Sequence, residues 1–148
     1  MAALSERERT PAATAPPGGA QPPAEVMLDG LWIDLRALAR EVSIRFIAET
    51  PAYVERYGEH AEAWCTHDCQ HMLSWALGAE EGFVDLGAQV AWLARVLEAR
   101  AFPLDWLARD LELSAAVVGE RLPRRADEVA ARLRNAAVTV RSTPTFLD

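Results

Sequence analysis

All three histidines and both cysteines of the chain lie between positions 60 and 71, in the stretch His60-Ala61-Glu62-Ala63-Trp64-Cys65-Thr66-His67-Asp68-Cys69-Gln70-His71. At about 100° per helical residue, His60, His67 and His71 fall on a stripe about 40° wide, and Cys65 and Cys69 fall on another stripe well around the helix. The two sets therefore cannot share one ligand site. His67 and His71, four apart, could chelate one metal ion from a single face. Such a site needs a third ligand, and with no other His or Cys in the chain a carboxylate from another helix would have to serve. Asp68-x-x-His71 echoes half of a di-iron bundle motif, which requires two copies. A tetrapyrrole held axially by one histidine is the other chemistry this stripe allows. Against both stands the plainer reading of histidines that cap, pack or face solvent.

Cys65 and Cys69 read most simply as small buried apolar residues. A disulfide between them is disfavoured, because positions four apart on a helix aim their Cβ atoms poorly. No Gly-x-Ser-x-Gly elbow and no Gly-rich phosphate loop occurs, so nucleophilic and nucleotide chemistry find no support. Of the five tryptophans, Trp64, Trp75 and Trp92 are candidates to line an apolar pocket, although aromatics at helical spacing are more often core.

The elements that must position these residues are helices. Leu28, Leu31, Leu35, Leu38, Val42 and Phe46 step by three and four and predict a first helix over 25–49, with Gly30 weakening its start. Thr50-Pro51 opens a short turn, Thr as N-cap and Pro at the first helical position. Further helices are predicted over 59–77, 83–100 (stripe Phe83, Leu86, Val90, Leu93, Leu97), 104–122 (Leu107, Leu111, Val118) and 126–138. No segment alternates in the manner of a strand. The expectation is an all-α domain over 25–139, a bundle or globin-like packing of four long helices plus one shorter element. A Pro/Ala-rich tail over 1–24 is expected to be disordered, and 140–148 irregular.

Composition narrows the partners. The net charge of −7 argues against nucleic acid, which needs a basic face. Glu49, Glu55, Glu59, Glu62, Asp68, Glu80, Glu81 and Asp85 crowd the middle, and Arg121, Arg124, Arg125, Arg132 and Arg134 the end, a charge dipole that could steer a partner or simply mark solvated helix faces. No apolar run approaches the ~18 residues of a membrane span. All 15 cationic residues are Arg, which suggests a GC-rich bacterial genome. Two cysteines and no signal-peptide pattern place the protein in a reducing cytoplasm.

Arg56-Tyr57-Gly58, Cys65-x-x-Asp68, Leu73-x-Trp75, Phe83-x-Asp85, Trp92-x-x-x-Val96-Leu97-x-x-Arg100, then Pro103 and Leu107 to Leu113, resemble a helical region that accompanies the cobalamin-binding domain in some bacterial proteins. The resemblance covers residues 42–123. That family carries a His seven positions after the Cys, where this chain has Met72 preceded by His71. The Asp-x-His-x-x-Gly signature of the cobalamin domain is absent. What the resemblance implies is a regulatory or sensory helical module without B12 binding.

The expected function is therefore a non-enzymatic helical module, with no cofactor and no catalytic residue, acting on a protein partner or as a homo-oligomer. The alternative is a sensor or carrier that binds a metal or tetrapyrrole through His60, His67 and His71, with Asp68 assisting.

Overall fold

Asp29-Gly30 sets the first turn of the chain in the computed structural model, which describes residues 21–148. Both residues have positive φ, 52° and 81°. That pair of left-handed conformations is what a two-residue hairpin requires, and Asp-Gly supplies it at low cost. The flanking residues form antiparallel strands β1 (Glu25–Leu28) and β2 (Leu31–Asp34), with Val26 opposite Ile33 and Leu28 opposite Leu31. The predicted first helix is thus wrong over 25–34. Leu28 and Leu31 mimic the helical spacing only because they flank a turn that restarts the pattern at Leu35.

Helix α1 (Leu35–Glu49) follows without a linker. The Asp34 carboxylate accepts from Ala37 N at 2.9 Å, and Ala24 O accepts from Leu35 N (3.0 Å) and Arg36 N (3.3 Å), so free N–H groups of the first turn are satisfied. The structure therefore docks residues 22–24, which were expected to be disordered. Pro22 is buried, and Gln70 Nε2 donates to Pro23 O at 2.7 Å. The rest of the expected tail, 1–20, lies outside the described residues.

After α1 come α2 (Pro51–Tyr57), a 3-10 turn (Gly58–His60), α3 (Ala61–Glu80), α4 (Leu86–Ala99), α5 (Leu104–Arg121) and α6 (Ala126–Ser142). Pro51 occupies the first position of α2 as predicted, but the Thr50 side chain makes no capping bond. The stripe expected to begin at Phe83 begins at Leu86 instead: Phe83 precedes the helix and is 85% exposed, while Asp85 caps α4 by accepting from Ala88 N at 3.1 Å. The α3–α4 turn closes tightly over Gly78, where a Cβ would stand 2.7 Å from Val84 Cγ2. Helix α6 runs four residues past its expected end. The C-terminal segment beyond it is tied to α4, with Thr145 Oγ1 and Phe146 N donating to the two oxygens of Glu98 at 2.6 and 2.7 Å.

The result is an all-α fold with a small hairpin. Among the described residues there are five helices of 14 to 20 residues plus the seven-residue α2, one long helix more than expected. Helix α1 packs on α3 and α5, the α5–α6 pair makes the most extensive contact, and α4 lies against α3, α5 and α6. Leu35, Val42 and Phe46 of α1 meet Met72, Leu73 and Leu77 of α3 and Leu107, Leu111 and Val118 of α5 in one continuous core. At one end Phe46, Tyr53, Phe102 and Trp106 stack edge-to-face, with centroids 5.3 to 6.3 Å apart. Arg56 donates to Arg100 O and Ala101 O at 2.9 Å, fastening α2 over the α4–α5 loop.

Three arginines of the basic end find carboxylates from elsewhere in the chain. Arg132 and Arg125 pair with Glu80, Arg125 also with Asp29, and Arg121 with Glu41. Folding thus brings the start of α6 and the loop before it onto Glu80 at the end of α3.

Candidate functional site

Helix α3 carries the chemistry, and it turns two unlike faces to its neighbours. Cys65 and Cys69 share a side with Ala61, Met72 and Ala76, and all five are buried. The two Sγ atoms lie 3.9 Å apart, and both cysteines are free thiols. Opposite them α5 presents Asp110, whose Oδ1 accepts from Cys65 Sγ at 3.9 Å. Asp110 is only 4% exposed, a carboxyl set in the core with a weak thiol donor for a partner. The ligand atoms of Cys65, Cys69 and Asp110 all lie within 4.8 Å of one another.

The environment disfavours charge at Cys69 and Asp110. Burial pushes the Asp110 carboxyl well above the usual carboxylate range, and the negative groups at Cys65 and Asp68 push it further. The hydrogen bond to Cys65 and then burial push the Cys69 thiol up. Tyr53, buried on α2, has its hydroxyl raised by burial and then by its proximity to Cys65, Asp68 and Asp110.

Asp110 is the residue that sequence reasoning missed. A signal was present: Leu107, Asp110, Leu111, Ser114, Val117 and Val118 step by three and four, so an acidic residue stands within the apolar stripe of α5. The carboxylate from another helix that a histidine metal site would need does exist in the fold. It is delivered to the cysteines instead.

The histidines are gathered less well. His60 is exposed and stacks on Trp64 at 4.7 Å, with 17° between the ring planes. His67 and His71 are half-buried and meet edge-to-face at 4.8 Å. His67 Nδ1 lies 3.5 Å from Asp68 Oδ1, while its buried Nε2 has no hydrogen-bond partner among the described residues. His67 also lines a cleft of about 560 Å³ with Pro22, Ala24, Arg36, Arg40, Glu62 and Gln70. Among the described residues, no group of three ligands forms around the histidines with donor atoms close enough to hold one ion, whereas the thiol cluster does so.

Trp64 is buried, with its ring against His60 and Tyr57; Trp75 is half-buried beside His71; Trp92 packs half-buried on the core from α4. Comparison with known proteins finds no matching family model, no matching curated relative and no matching solved structure. Among the described residues no helix is long and apolar enough to cross a membrane.

Proposed function

We propose that this protein is a non-enzymatic helical module of the regulatory or sensor type, acting through contact with a protein partner or with a second copy of itself. The observation that carries the reading is the outer face of the hairpin. Met27 and Trp32 are cross-strand partners there, 48% and 65% exposed, while the opposite face sends Leu28 and Ile33 into the core. A tryptophan placed on a rigid strand pair and left in water is the residue type most enriched at interface hot spots. Beside it a cleft begins at Asp34 and runs along α1 past the exposed Ile44 between Arg40, Glu41 and Arg45. The resemblance to helical modules beside cobalamin-binding domains points the same way, as does the absence of a nucleophile–base arrangement in the sequence.

Sedimentation equilibrium over a wide concentration range tests the self-association form. The mass should rise with concentration, and Met27→Ser with Trp32→Ser should hold the chain monomeric without changing its helix signal. A wild-type chain that stays monomeric at every concentration rejects that form.

A second reading has its own observation, the unpartnered Nε2 of His67 beside a cleft. Under it the cleft takes a tetrapyrrole or a metal-bearing ligand. Adding haemin should then give a Soret shift that His67→Ala removes, and an unchanged spectrum dismisses it.

A further inference from the structure

We infer that Cys65, Cys69 and Asp110 form a binding site for one zinc-type divalent cation in the core, between α3 and α5. The inference goes beyond the interaction reading and is independent of it, since the hairpin and this cluster share no residue.

The geometry is that of an ion's first shell. A tetrahedral Zn(II) with Zn–S bonds of about 2.3 Å holds its sulfurs roughly 3.8 Å apart, and with a Zn–O bond of about 2.0 Å places sulfur and oxygen roughly 3.5 Å apart. The observed separations are 3.9 Å between the two Sγ atoms and 3.9 Å from Cys65 Sγ to Asp110 Oδ1. The three donor atoms all lie within 4.8 Å of one another, so an ion between them needs the two 3.9 Å separations to close by a few tenths of an ångström and draws Cys69 Sγ and the Asp110 carboxylate together by up to about 1.3 Å.

The second observation is Asp110 itself. Among the described residues the Asp110 carboxyl has only a thiol as hydrogen-bond partner, which is costly for a buried acid, and a leucine at that position of the α5 stripe would pack without the cost. Its neighbours on the stripe, Leu107 and Leu111, are both fully buried. A cation supplies the missing compensation for the carboxylate and for both sulfurs at once. Two thiolates favour a borderline-soft ion such as Zn(II) over Mg(II) or Ca(II), and a carboxylate oxygen is an ordinary third ligand.

Binding exchanges the ion for protons: Zn²⁺ with two thiols and one carboxylic acid gives an anionic Zn(thiolate)₂(carboxylate) centre and three H⁺. Because the ligands are buried, the ion is expected to be acquired as the chain folds.

The test uses the full chain, reduced, unfolded in guanidinium, and refolded with Co(II) as a spectroscopic stand-in for Zn(II), followed by dialysis. The expected result is one Co(II) per chain, with a thiolate-to-cobalt charge-transfer band in the near ultraviolet and tetrahedral d–d bands in the visible. Cys65→Ser and Cys69→Ser should each remove the charge-transfer band or halve it. Asp110→Asn, which keeps the shape of the side chain, should weaken Zn(II) binding by at least about tenfold in a chelator competition while preserving the helix signal. His67→Ala with His71→Ala should leave all of this unchanged, which separates the thiol site from the histidine cleft. Three results would overturn the inference: no retained metal in a refolded wild-type chain, a bound ion without thiolate charge transfer, or uptake that survives loss of both cysteines.

Discussion

Cys65 and Cys69 sit where the helical wheel alone would put them, among small apolar neighbours on the inner side of α3. Both are buried, and Asp110 covers them from α5. In metal-free, reduced protein they should resist thiol reagents in the native state and react on unfolding. Rapid native labelling of both would place that face outside. Leu93, in the middle of the α4 stripe, is likewise buried, whereas Arg95 two positions on is exposed. Leu93→Ala should cost about 2 to 5 kcal/mol because it opens a cavity in a core that cannot fully collapse around it. Arg95→Ala should cost less than about 1 kcal/mol. Urea unfolding of the two variants measures the difference, and equal midpoints would mean that the stripe does not face the core. These positions were legible because burial on a helix follows from spacing. Asp110 was not singled out, although its place in the α5 stripe was there to be read.

At the scale of elements, the instructive error is the start of the first helix. Four-residue strands are too short for period-two alternation to stand out, and Leu28, Leu31 and Leu35 happen to continue the three-and-four spacing of α1 backwards through the turn. The Asp29-Gly30 pair carried the correct information, since two consecutive left-handed residues suit a hairpin and break a helix. The hairpin also gives the preceding residues something to hold. Ala24 O caps α1, and Pro23 O receives the Gln70 amide from α3. A chain beginning at Glu25 should therefore melt several degrees below one beginning at Gln21, because it loses these acceptors and the buried Pro22, at about 1 kcal/mol for each hydrogen bond. Identical melting temperatures by circular dichroism would show that the docking contributes nothing.

At the scale of the whole molecule, arginine–carboxylate pairs join elements that are far apart in sequence. Arg45 bridges Glu41 on its own helix and Glu120 on α5, and Arg121 reaches back to Glu41. Arg109 pairs with Glu49 and Glu112, and Arg141 of α6 with Glu112. Hydrogen bonds from arginine hold these carboxyls below their ordinary value of 4.5: Arg121 on Glu41, Arg109 on Glu49, Arg141 on Glu112 and Arg45 on Glu120. A carboxyl with a lowered folded-state pKa binds fewer protons folded than unfolded. Its contribution is complete above 4.5 and is lost as pH falls through the folded value. Melting temperature should accordingly decline below pH 4.5, and Arg45→Gln with Arg109→Gln should flatten that decline and lower the neutral plateau only slightly, since the pairs are largely exposed. An unchanged acid limb in the double variant would show that the networks do not couple folding to pH.

The sequence by itself determined that the protein is helical, where most of its helices run, and which residues carry the apolar stripes of α1, α4 and α5 from Leu35, Leu86 and Leu107 onward. Those properties depend on spacings of three and four residues and on turn chemistry between neighbours. It also placed Cys65, His67, Cys69 and His71 on one helix, whereas His60, expected on the same helix, ends the 3-10 turn before it. Only the tertiary structure decided which partners those side chains meet. Asp110 lies 45 residues beyond Cys65. Its approach depends on how far α3 and α5 are each rotated about their axes, and that rotation is set by the packing of the whole core. The pairing of Arg125 and Arg132 with Glu80 and the docking of residues 22–24 on α3 have the same origin. Each is a contact between segments whose separation along the chain carries no local signal, made only when burial of the shared core fixes the helices against one another.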